Sequence, residues 1–83
     1  MKAPVIETIK PNFTLLTLGN IAIWYSYKTP IAFQEGEQPL CIRVNDWSNT
    51  TGKHLNYIDA DKSIRVSGED FDRNLAYANQ MNH

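Results

Sequence analysis

The 83 residues, 42% of them hydrophobic, suffice for one domain with a single modest core and leave no room for a second. Eight Lys and Arg stand against nine Asp and Glu, and the basic positions are scattered. This argues against a dedicated nucleic-acid binder, whose phosphate contacts normally show as a clustered basic excess. A lone Cys41 excludes an internal disulfide and, with no apolar run long enough to span a bilayer, points to the cytoplasm and away from a membrane.

Residues 1–12 read as an N-terminal arm. Val5, Ile6 and Ile9 are apolar, Pro4 and Pro11 oppose a helix, and Glu7 and Lys10 break up any secretory signal. The domain proper is expected over 13–83. Phe13–Leu18 is rich in β-formers, Gly19-Asn20 supplies turn chemistry, and Ile21–Tyr27 follows as the second strand of a hairpin. In that second strand Ile21, Ile23, Tyr25 and Tyr27 alternate with Ala22, Trp24 and Ser26, so both faces carry apolar groups, as in a central strand. Lys28-Thr29-Pro30 interrupts the pattern with a bend or tight turn before Ile31-Ala32-Phe33 resumes it.

After the loop Glu35–Pro39, Leu40, Ile42 and Val44 alternate with Cys41, Arg43 and Asn45, a half-buried strand with Arg43 expected toward water. Leu55 and Ile58 then stand three apart, which fits a helix of two or three turns starting near Thr50 and weakened by Gly52. Asp59–Lys62 reads as a turn, Ile64–Val66 as a short strand, and Ser67 followed by Asp70 as a helix start. Phe71, Leu75 and Ala78 form the apolar stripe of that last helix, and Glu69, Asp70 and Asp72 complement its dipole. The fold class is therefore α+β: a small antiparallel sheet of three or four strands with two helices packed on one face. A chain of this size buries only about 60–65% of its unfolded surface, so a homodimer would supplement the core.

Chemistry concentrates in Asp46–Leu55. Ser48, Thr50 and Thr51 suit a helix cap, and with Gly52 and Lys53 they also suit an anion, although the order is not that of a Walker loop. Asp46, a hydroxyl and His54 fall within nine residues without the spacing that would fix a catalytic triad. Cys41, mid-strand among apolar neighbours, reads as a small hydrophobe. Two histidines and one cysteine do not make a zinc set, and Asp59-Ala60-Asp61 lacks the later ligands of a calcium loop. No catalytic residue, metal or cofactor is expected. The aromatic residues Trp24, Tyr25, Tyr27 and Trp47 are candidates for an exposed patch.

Trp24–Phe33 and Trp47–Leu55 together resemble a family of small bacteriophage and archaeal-virus proteins in which a "YSYxTxIA" strand precedes an "SxTTxxHL" segment. The resemblance implies a viral origin and a compact domain, and transfers no catalytic residue. Small early phage proteins commonly bind and redirect a host protein, so by analogy a host protein is the expected partner. The expectation is a non-enzymatic phage accessory protein acting in the host cytoplasm. Its partner-binding residues would be Trp24, Tyr27, Trp47, Ser48, Thr50, Thr51, Lys53 and His54. The alternative is a small nucleic-acid-binding or transcription-modulating protein using Lys53, Lys62 and Arg65 with Tyr57 stacking on bases. A third reading, an enzyme acting on a phosphorylated metabolite at Ser48–Lys53, ranks last.

Overall fold

The computed structural model describes residues 4–46 and 49–81. Five strands, β1 (Val5–Lys10), β2 (Phe13–Leu18), β3 (Ile21–Ser26), β4 (Thr29–Glu35) and β5 (Cys41–Ile42), form one antiparallel sheet in sequential order. Two-residue links join the first four, and each holds one residue at positive φ: Asn12 at 63°, Gly19 at 58° and Tyr27 at 58°. Tight hairpin links need that conformation, which glycine adopts freely and asparagine tolerates. Tyrosine does not share that tolerance.

The sheet has more strands than the three or four expected, because the segment read as an arm is its outer strand. Pro4 and Pro11 flank β1 instead of interrupting it, so they exclude a helix without excluding a strand. Ile9, at a bulge between Thr8 and Lys10, packs against the core.

Strand register defines two faces. Phe13 lies opposite Ser26, and Trp24 opposite Ala32 and then Ile42, all on one side. Ile23 lies opposite Phe33 and then Cys41 on the other. Helix α1 (Asn49–Ile58) lays Leu55 and Ile58 on the first face, and helix α2 (Gly68–Met81) lays Phe71, Leu75 and Ala78 on the second. The chain is α+β, but its helices cover opposite faces rather than sharing one. That arrangement answers the two-sided apolar pattern of β3, since each face of that strand needs its own cover. Leu55 and Phe71 are fully buried, each contributing about 1.5–3 kcal/mol relative to exposure.

Cover on both sides also corrects the placement of Arg43. Its side chain is only 11% exposed. The guanidinium stands over the Phe71 ring, 3.2 Å from Asp46 Oδ2 and 3.7 Å from Asp72 Oδ1. It also lies against the α carbon of Gly68, where any Cβ would collide with it. The residue expected to face water instead clamps the end of β5 to the start of α2.

Between the helices, Asp59 Oδ1 accepts from Asp61 N–H at 2.9 Å, and Asp61 Oδ1 accepts from Ser63 N–H at 3.0 Å and Ser63 Oγ–H at 2.6 Å. The Ser63 bonds hold the Asp61 carboxyl below its usual range, and together these local bonds fold Lys62–Ile64 into one 3-10 turn that takes Ile64 out of the strand expected over Ile64–Val66. Only Val66 keeps the strand role, bridging in parallel to Arg43. Ser67 Oγ accepts from Asp70 N–H at 3.2 Å and caps α2 as its sequence predicts.

Candidate functional site

At the end of the sheet where the links Pro11-Asn12 and Tyr27-Lys28 meet, Tyr27 N–H donates to Asn12 C=O at 2.7 Å. Ser26, the last residue of β3, points to the α1 face. Its Oγ lies 2.7 Å from His54 Nδ1 and 3.1 Å from Thr51 Oγ1. Thr51 and His54 are three apart on α1, so one helical surface presents both to the same serine. All three residues are 2–5% exposed.

The His54 imidazole stacks on Phe13 with centroids 4.6 Å apart and planes 7° from parallel, and Tyr27 approaches it at 6.5 Å. Tyr57 meets the edge of Phe13 at 5.4 Å, and Lys10 Nζ sits 4.9 Å above the Tyr57 ring. Burial, and secondarily the Lys10 ammonium, hold the imidazole below its usual value near 6.5, so it is neutral at physiological pH. A serine beside a neutral histidine has the components of a nucleophile and its base. Here the serine is buried, its second partner is the Thr51 hydroxyl, and neither open groove at this end of the sheet is lined by Ser26. The trio is a polar lock between α1 and β3.

The opposite side of the same sheet end is open. Helix α2 packs over the β3–β5 side, leaving Ile6, Thr14, Leu16 and Tyr25 to floor an apolar groove of about 300 Å³, with Tyr27 and Lys28 at its rim. A more polar groove of about 630 Å³ continues past Thr8, Asn12 and Thr29. Ile6 is 68% exposed and Tyr27 52%. Tyr27 holds this position at a φ that costs an L-residue with a side chain about 1–2 kcal/mol. Strain of this kind clusters at binding sites.

A family model described as "Family of unknown function (DUF8033)" matches residues 3–73. The chain belongs to this family. The matched span of the DUF8033 domain takes in all five strands, α1 and the first turns of α2, and so includes both the lock and the groove. No curated protein and no solved structure matches the chain.

Within the DUF8033 domain, the residues read from sequence as one partner-binding surface separate. Thr51 and His54 belong to the buried lock, and Tyr27 stands beside them at the rim of the groove. Trp24 is half-buried against the α1 core and Tyr25 lies on the other face, so the aromatic group is divided by the sheet. Thr50 and Lys53 are exposed on α1, while Trp47 and Ser48 lie outside the described residues.

Of the basic trio, Arg65 donates to Asn56 Oδ1 at 2.9 Å and to Asp59 C=O at 3.3 Å, bracing the end of α1, while Lys53 and Lys62 are exposed. Cys41 accepts from Asn74 Nδ2–H at 3.8 Å, and burial raises its thiol pKa, which disfavours the thiolate. Among the described residues, no cluster of His, Cys, Asp or Glu is arranged to hold a metal, and no helix is long and apolar enough to cross a membrane.

Sequence reading missed Ser26, Phe13, Ile6 and Leu16. Alternation along β3 already put Ser26 on the Trp24 side, but its partners needed the tertiary fold.

Proposed function

We propose that the protein is a non-enzymatic binding module that seats an apolar segment of a protein partner in the groove of Ile6, Leu16 and Tyr25. Tyr27 serves as anchor, and Lys28 faces a carboxylate of the partner. One observation carries this reading: α2 leaves the β1–β2 half of its sheet face uncovered, beside a tyrosine held in a strained conformation at the rim. Exposed tyrosines beside apolar floors are common anchors of protein interfaces. The resemblance to small viral proteins makes that partner a host protein, met in the host cytoplasm.

The test is capture from nuclease-treated host lysate on immobilised wild-type chain, compared with a folded Tyr27→Ala, Lys28→Glu double variant. The expected result is one protein that binds directly when purified, loses at least ten-fold in affinity with the variant, and tolerates moderate salt. Binding that disappears with nuclease supports the nucleic-acid reading instead. So does binding that falls about 10³–10⁵-fold between 50 and 200 mM salt, as 6–10 phosphate contacts require.

A further inference from the structure

The two edges of the sheet are finished differently. Beyond β5, Val44 N–H donates to Val66 C=O at 2.9 Å and Val66 N–H donates to Ile42 C=O at 2.8 Å, so that edge is closed by the chain itself. Among the described residues nothing pairs with the outer side of β1. This strand is six residues long, and its Val5 and Ile6 are 63% and 68% exposed. An open edge of that length, carrying exposed apolar residues beside Glu7 and Thr8, is a template for another strand.

We propose that a second copy of this chain fills it, β1 pairing antiparallel with β1 about a two-fold axis through Ile6. This goes beyond the binding role of the groove and does not depend on it. Antiparallel edge pairing requires an axis perpendicular to the sheet. Each residue then meets a partner on the same face, and the ladder is centred on one residue paired with its own copy.

The residues of β1 discriminate between centres. Centring on Glu7 sets two carboxylates directly opposite, which is destabilising. Centring on Thr8 sets Lys10 against Ile6 and carries the ladder across the bulge between Thr8 and Lys10. Centring on Val5 leaves almost no overlap with the described strand. Centring on Ile6 pairs the most exposed apolar residue of the edge with itself, sets Thr8 opposite Pro4 and Val5 opposite Glu7, and leaves the bulge outside the ladder. It also brings the Ile6 walls of two grooves together on one face of a ten-stranded sheet.

The experiment is sedimentation equilibrium of the purified chain without any partner, alongside Ile6→Lys and Tyr77→Lys. Each variant is first checked for native circular dichroism. Wild type and Tyr77→Lys, which alters an exposed residue of α2, are expected at twice the 9.5 kDa chain mass, and Ile6→Lys at the single-chain mass. Register is read by oxidative cross-linking in a Cys41→Ser background. Ile6→Cys is expected to link the two copies, because directly opposite Cβ atoms stand about 4.5–5.5 Å apart. Thr8→Cys is expected not to link, since in this register its copy lies beyond the roughly 7 Å that a disulfide can span between Cα atoms. A monomeric wild type, a dimeric Ile6→Lys, or linkage through Thr8→Cys in place of Ile6→Cys overturns the proposal. Because no partner is present, failure here leaves the capture experiment intact, and the reverse also holds.

Discussion

Replacing Ser26 with alanine isolates the polar lock. The serine hydroxyl bonds to both His54 and Thr51 in a dry site, so its removal strands the imidazole nitrogen and loosens the threonine. An unsatisfied buried polar group costs about 1–3 kcal/mol, and with one nitrogen fully orphaned the expected loss is about 2 kcal/mol. For a domain of this length each kcal/mol moves Tm by about 4–8 °C, so Ser26→Ala should melt roughly 8–16 °C lower.

Urea unfolding followed by tryptophan fluorescence measures the difference. Two controls identify its origin. Adding His54→Phe removes the orphan while keeping a ring on Phe13, so the double variant should recover at least about 1 kcal/mol relative to the sum of the single changes. The second control is pH. The buried imidazole has a depressed pKa, so near and below pH 6.5 the unfolded chain binds more protons than the folded one, and wild-type stability must fall as pH drops through that range. His54→Phe lacks this component. A Ser26→Ala protein within about 0.5 kcal/mol of wild type, or strictly additive single changes, would refute the lock.

Arg43→Ala should destabilise by about 2 kcal/mol or more, because the guanidinium covers Phe71 and holds two carboxylates in a nearly closed site. Arg73→Ala should cost less than about 0.5 kcal/mol, since its ion pairs to Glu69 and Asp70 lie in water. Equal effects in denaturant titrations would remove the clamp assigned to Arg43. At position 27, Gly and Val both delete the aromatic ring, but only Gly accepts φ of 58° without strain. Tyr27→Gly should therefore exceed Tyr27→Val in stability by about 1–2 kcal/mol, and equal melting temperatures would show that the link relaxes at no cost.

Local chemistry made much of this fold legible. The Ser67 cap, the α2 stripe, the Gly19-Asn20 link, the β-forming composition of β2 and the alternation of β3 each rest on neighbours within a few residues, and each stands where its residues indicate. Arg43 shows where that reading stops. A period-two pattern says that one side of a strand is polar, but not that a second helix will lie over it and supply partners for the charge. The same limit separated Trp24 from Tyr25 and hid Ser26, whose role depends on α1 arriving at the right register 25–28 residues later. β1 was masked by its prolines, which report only on helix formation and on the ends of a strand.

The sequential strand order also bears on how the molecule assembles. Every named strand pairs with its nearest neighbours in the chain, so the sheet can grow hairpin by hairpin with short loop closures, a topology that folds fast. The contacts of long reach, from Phe13 to His54 and Tyr57 and from Phe33 to Phe71, join the helices to that sheet. Without its helices the sheet would be a bare meander with both apolar faces wet, and the lock and the Arg43 clamp are what end that exposure.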